Sequence, residues 1–206
     1  MHKVVDEIIE SNKWRDGEFA KFKVISKGPD AKLWCRMCIP MIYAHWEGFV
    51  VSSLKLLIQH LNTLKLEPRS VPTNLIVIGL GDSFQSLSGK QSFDQRIAFT
   101  DNFQLLLDKT IKFDKKVNTK SNLHSNVLNE LCSMFSFEYN KFNDCITLLD
   151  RLVQIRNSIA HGENSFVITP QNIEDYINNV NKATDIFTNE IELFLSNECY
   201  LINKQV

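Results

Sequence analysis

Glycine and proline are scarce, with seven and five in 206 residues. An all-β fold needs many tight turns, and turns draw on those two residues, so the shortage points to helices. Long hydrophobic runs are missing too. Nothing approaches the ~20 apolar residues that cross a bilayer, so no membrane partner is expected. The first residues, Met1-His2-Lys3-Val4-Val5-Asp6-Glu7, hold no apolar leader core. The five cysteines are an odd number, which speaks against a disulfide framework. A reduced, cytoplasmic chain is the expectation. Neither sign of charge dominates, since the net charge is −1. That excludes a bulk basic nucleic-acid binder.

The near-zero total hides an asymmetry. Residues 1–120 carry a balance of +5 and residues 121–206 a balance of −6. Positive surface for RNA would therefore come mainly from the first half. The run Lys112, Lys115, Lys116, Lys120 is one candidate, and Lys13, Arg15, Lys21, Lys23 and Lys27 form a looser scatter. The alternative is that these are solvated loops and faces. Cys35-Arg36-Met37-Cys38 is a lone CxxC. A structural zinc needs two more ligands at suitable spacing. His2, His60 and His124 do not supply them, so no metal or other cofactor is expected.

At this length and with 44% hydrophobic residues, the chain fits one domain of residues 1–206. Its core is placed at about 31–197, with 1–30 as an N-terminal helix and turn. Apolar spacing predicts a short amphipathic helix over 2–15, carrying Val4, Val5, Ile8 and Ile9. A long helix follows over about 31–65, with Pro40 inside it as a kink or a boundary. Leu75-Ile76-Val77-Ile78 reads as a helix, because a lone strand would have no partner. Gly79, Gly81 and Gly89 mark a flexible stretch without the context of a phosphate loop. Residues 93–113 read as a helix with Phe99, Phe103, Leu106 and Leu107, and 114–120 as a basic loop. Ser121 or Asn122 is a candidate cap for a helix to about Phe135. Asn140 or Asn143 can cap the next, which runs to His161 and ends at Gly162. Thr169-Pro170 opens a last helix over about 170–197. The fold class is all-α, an antiparallel helical bundle.

The helix 142–161 is the informative one. Cys145, Leu148, Leu152, Ile155 and Ile159 form one apolar stripe, and Phe142, Ile146, Leu149, Val153 a second that continues into Arg156. A guanidinium in line with core residues needs an anionic or hydrogen-bonding partner. Asn143, Thr147, Asp150, Gln154, Asn157 and His161 form a polar stripe. Asn157 and His161 are neighbours four apart, whereas Arg156 starts about 140° from His161 on an ideal helix. Arginine must reach across, or the two must meet through a second subunit. Histidine can move the protons of RNA cleavage near neutral pH, and a fixed guanidinium can stabilise the phosphoryl oxygens. On its own, a histidine at a helix C-terminus can equally be a favourable end charge.

The segment from Leu149 to Glu163, with Arg156-Asn157-Ser158-Ile159-Ala160-His161 inside it, resembles the signature helix of HEPN domains. Pro40-Met41-Ile42-Tyr43-Ala44-His45-Trp46-Glu47-Gly48-Phe49 resembles the first core helix of one prokaryotic subfamily found in defence and toxin contexts. Lys120-Ser121-Asn122-Leu123 resembles that subfamily's third element. The resemblance implies a HEPN-type bundle with additional helices that dimerises through the motif helix and forms a composite cleft. It implies a metal-independent endoribonuclease leaving 2′,3′-cyclic phosphate and 5′-hydroxyl ends. Arg156 and His161 would be the catalytic pair and Asn157 the polar second position. RNA would be the substrate, and an antitoxin or inhibitor protein a partner. HEPN toxins paired with a nucleotidyltransferase often carry tyrosine two residues after the histidine, where this chain has Glu163. That weakens the case for control by tyrosine modification. The alternative is a non-catalytic HEPN module that binds RNA, a nucleotide or a partner protein.

Glu47 lies on the stripe Tyr43, Glu47, Val50, Leu54, Leu57, Leu61. An acid among apolar neighbours invites a cation, so Glu47 is a candidate contact of Arg156. An edge carboxylate or a structural ion pair is the other reading. Tyr43 and Asp150 are further candidates for support, with an interface or surface acid as the alternative for Asp150. His45 is read as a polar core or surface residue. Trp14, Trp34 and Trp46 could stack bases, but buried packing is the default.

Overall fold

The computed structural model describes residues 1–81 and 92–202. Eight α-helices are found among them: α1 (Lys3–Asn12), α2 (Trp14–Ile25), α3 (Ala31–Thr63), α4 (Thr73–Leu80), α5 (Phe93–Leu107), α6 (Ser125–Met134), α7 (Asn143–Ala160) and α8 (Pro170–Ser196). No strand occurs among the described residues. No helix among them is long and apolar enough to cross a membrane.

α3 is the axis of the bundle, about 50 Å long at 1.5 Å per residue. It is continuous across Pro40. Its buried side chains, among them Ile39, Ile42, Trp46, Val50, Leu54 and Leu61, cover more than one stripe. A helix that is apolar around most of its girth must be surrounded, and α1, α2, α7 and α8 pack on it. The buried apolar residues, Leu80 apart, form a single cluster. Phe137 between α6 and α7 sits edge-on to Phe187 and Phe194 of α8, with centroids 5.6 and 5.9 Å apart.

Three local readings are corrected. Residues 2–15 are not one helix: α1 ends at Asn12 and α2 follows. α2 buries only Phe19 fully, so its apolar pattern was too thin to find. The helix expected over 93–113 stops at Leu107, because Ile111 and Phe113 are drawn into the core as extended chain. The Ile111 amide donates to the Leu66 carbonyl at 2.9 Å, and Asn62 brackets Phe113 with bonds of 2.8 and 3.0 Å. α6 starts at Ser125, later than a cap at Ser121 or Asn122 would give. Residues 108–124 are thus a strap laid across α3. The helix over 75–78 is present as α4; Gly79 lies inside it and Gly81 caps it, while Gly89 falls outside the described residues.

The end of α7 and the start of α8 follow their sequence signals, whereas the cap expected at Asn140 or Asn143 is not formed: Phe142 holds that position and no side chain caps α7. Gly162 adopts φ +79°, and the Gly162 and Glu163 amides donate to the Ile159 and Ser158 carbonyls, each at 3.0 Å. This paired closure fixes where the motif helix stops, with Ala160 as its last residue and His161 as its C-cap. Thr169 and Asn172 form a reciprocal capping box ahead of Pro170.

Candidate functional site

Arg156, on the last turn of α7, is half-buried. Its Nη1 donates to Asn157 Oδ1 at 2.8 Å and its Nη2 to the Ser121 carbonyl at 2.9 Å. Its guanidinium carbon lies 4.0 Å from the centre of the Tyr43 ring. A guanidinium has five N–H donors, so three remain after these two bonds. Among the described residues no carboxylate lies within ion-pair distance of Arg156. The group is thus held in one plane by neutral acceptors and an aromatic face, and its charge is not neutralised.

Tyr43 also anchors the strap. The Leu123 amide donates to its hydroxyl at 2.9 Å. Burial pushes the phenol up from its ordinary value, and Glu47 adds to that against the Leu123 amide and Arg156. Replacing Tyr43 by Phe keeps the ring beneath Arg156 but leaves the buried Leu123 amide without an acceptor. We expect a loss of about 1–3 kcal/mol in urea unfolding. Unchanged stability in Tyr43→Phe would show that the amide finds another partner.

Glu47 does not reach Arg156. It accepts from the Thr119 hydroxyl at 2.7 Å and pins the strap at a second point. Gly48 beside it allows a close approach: a Cβ there would meet the Arg15 guanidinium at 3.3 Å. Trp46 is fully buried, whereas Trp14 and Trp34 are exposed. His45 is 3% exposed, wedged between Arg15 Nη1 at 3.1 Å and Glu18 Oε2 at 2.9 Å. Burial and then Arg15 push its pKa down, against Glu18. It belongs to the packing of α2 on α3.

Asp150 has a definite role. Its Oδ1 accepts from the Ser125 amide at 2.7 Å, so α7 caps the start of α6 across 25 residues of sequence. Asn157 donates from Nδ2 to Asn122 Oδ1 at 3.1 Å, and Asn122 Nδ2 lies 2.9 Å from His124 Nε2. His161 is exposed, and its ring makes no hydrogen bond among the described residues. One chain therefore brings together Arg156, Asn157, Tyr43 and the strap, and leaves His161 free at the helix end.

Lys112, Lys115, Lys116 and Lys120 are all exposed. Lys120 bonds Glu130 at 2.5 Å. Lys116 and Lys120, with Asp114 and Glu130, rim a groove of about 740 Å³ floored by Leu54, Ile58 and Leu131. The strap thus leads from this basic stretch directly into Ser121. The Cys35 and Cys38 thiols are buried, and burial with the neighbouring Cys35 pushes Cys38 up to about 11.

Sequence reasoning missed Thr119, Ser121, Asn122 and His124 as parts of this site. Lys120-Ser121-Asn122-Leu123 was the available signal, but a capping role fits the same letters. Lys120 and Ser121 both adopt positive φ, 56° and 52°, without glycine. That conformation belongs to the turn whose Ser121 carbonyl meets Arg156.

An all-helical bundle whose inner helix ends in Arg-Asn-x-x-x-His is the arrangement of a HEPN domain. The family model described as RiboL-PSP-HEPN matches residues 10–193, and the chain belongs to that family. No curated protein and no solved structure matches it. Membership of the HEPN families suggests an RNA-related, nuclease-like module.

Proposed function

We propose that the protein is a metal-independent endoribonuclease, acting as a homodimer and serving as a toxin or anti-phage effector. The observation that carries this reading is the unneutralised, fixed guanidinium of Arg156, on the same helix end as His161, whose ring makes no hydrogen bond among the described residues. A half-buried cation with three spare donors and no carboxylate partner favours an anion such as phosphate. The 2′-oxygen attacks the adjacent phosphorus, and its proton passes to a base. The bond to the 5′-oxygen breaks, and that oxygen takes a proton. His161 serves these transfers, Arg156 stabilises the equatorial oxygens, and Asn157 orients the phosphate or sugar. These groups cover both proton movement and charge stabilisation, so the chemistry does not call for a metal. A free ribonuclease would harm its host, which implies an inhibitor protein.

The second reading is a module that binds RNA or a nucleotide without cutting it. It is favoured by the His161 ring, which no hydrogen bond among the described residues orients. Total RNA incubated with the protein in excess EDTA separates the two. We expect cleavage with 2′,3′-cyclic phosphate and 5′-hydroxyl ends. Retention of intact RNA on the protein would select the binding module.

A further inference from the structure

A guanidinium can only donate hydrogen bonds, and that fact orients everything attached to it. Arg156 Nη1 donates to Asn157, so the atom facing it is Oδ1 and the Asn157 amide nitrogen points away. That nitrogen donates to Asn122, so Asn122 also presents Oδ1 and turns its own amide nitrogen outward. Asn122 Nδ2 then faces His124 Nε2 at 2.9 Å. A donor there requires a lone pair on Nε2, which puts the ring proton on Nδ1. Nδ1 lies 3.8 Å from Asp150 Oδ1, the same oxygen that caps α6. The four side chains form a chain of bonds with one direction, from Arg156 to His124.

The geometry points to Asn122 and His124 as positioning residues for Arg156, with His124 held in the Nδ1–H form as the terminal acceptor of a relay Arg156→Asn157→Asn122→His124. This rests on the nuclease reading for its effect on cleavage, but the relay itself does not. A donor placed at Nε2 would meet the Asn122 amide nitrogen. Turning Asn122 over would set its nitrogen against that of Asn157, and turning Asn157 over would set that nitrogen against Arg156. The conflict passes down the chain to the guanidinium. A hydrogen-bond acceptor at position 124 is therefore what keeps Arg156 in plane with the Ser121 carbonyl and the Tyr43 ring.

The 206-residue chain tests this with two readouts. The first is side-chain ¹⁵N NMR of His124, assigned by its loss in His124→Gln. The expected pattern is a protonated Nδ1 and an unprotonated Nε2. The same spectra report the Arg156 Nη protons, expected to exchange slowly in wild type and in His124→Gln, whose amide oxygen can accept. They should exchange fast in His124→Lys and Asn122→Leu. The second readout is kcat, which should be kept in His124→Gln and fall on the order of tenfold in the other two with little change in KM. An Nε2–H tautomer, or Arg156 protons indifferent to all three changes, overturns the relay. If wild type cuts no RNA, the nuclease reading fails, and the NMR arm still decides the relay. Should His124→Lys fail to fold, Asn122→Leu carries the same comparison.

Discussion

Arg156→Ala is expected to lower kcat for RNA cleavage by on the order of 10²–10³-fold while leaving the fold intact. The residue makes its contacts at a half-buried site. Its removal frees the Asn157 oxygen and the exposed Ser121 carbonyl, and water can reach both. The stability loss should stay near ~1 kcal/mol. Arg156→Lys should recover little. An ammonium is a point charge, and it cannot lie flat on Tyr43 while donating to two acceptors in fixed directions. His161→Ala belongs beside it: a loss of on the order of 10²–10⁴-fold with no change in melting temperature, because the ring makes no hydrogen bond among the described residues. Rates from single-turnover cleavage, with circular dichroism melts of each variant, check both. Wild-type kcat in Arg156→Ala would remove the guanidinium from the mechanism. Loss of the native spectrum would recast Arg156 as a structural residue.

The motif helix was legible because its signals are local. Alternating apolar spacings placed Leu149, Leu152 and Val153 inside, and Gly162 marked the stop. Thr169-Pro170 marked the next start in the same way. The strap was not legible, because everything that shapes it comes from elsewhere in the chain. Ile111 and Phe113 look like the tail of a helix until Asn62 and Leu66 supply their backbone partners. Asn122 looks like a cap until Asn157 takes its oxygen. Asp150 reads as a polar-stripe acid, and only the fold shows the Ser125 amide in front of it. The Glu47–Arg156 contact failed for a related reason. Sequence put the acid on the correct face of α3, one turn from Tyr43, but the strap inserts Thr119 as its partner.

The strap also explains how the two halves of the chain, opposite in charge, share one site. Lys112 to Lys120 belong to the basic half and Arg156 to the acidic half. Residues 119–125 tie them together at Glu47, Tyr43, Arg156, Asn157 and Asp150. Charge steering by the lysines would then deliver RNA to a site built mainly on the acidic half.

Mixing two inactive variants should restore cleavage. On an ideal helix Arg156 and His161 start about 140° apart, and in this chain Arg156 is turned toward Asn157, Ser121 and Tyr43 while His161 is free. A composite cleft solves this if His161 of one subunit works beside Arg156 of the other. Arg156→Ala keeps its histidine, and His161→Ala keeps its arginine. In a two-fold dimer of one of each, one cleft has both groups and the other has neither. Random exchange makes half of the dimers mixed, so the mixture should regain roughly a quarter of the wild-type rate. Each variant alone should stay inactive at every concentration. The measurement is cleavage after co-refolding equal amounts, with native mass spectrometry to count the mixed dimers. Mixed dimers without activity would put both groups in the same subunit, and the His161 ring would then have to swing across α7 to reach the phosphate. The absence of any dimer would return the geometry to a single chain. Recovery near a quarter would assign the histidine and the arginine of each cleft to different subunits.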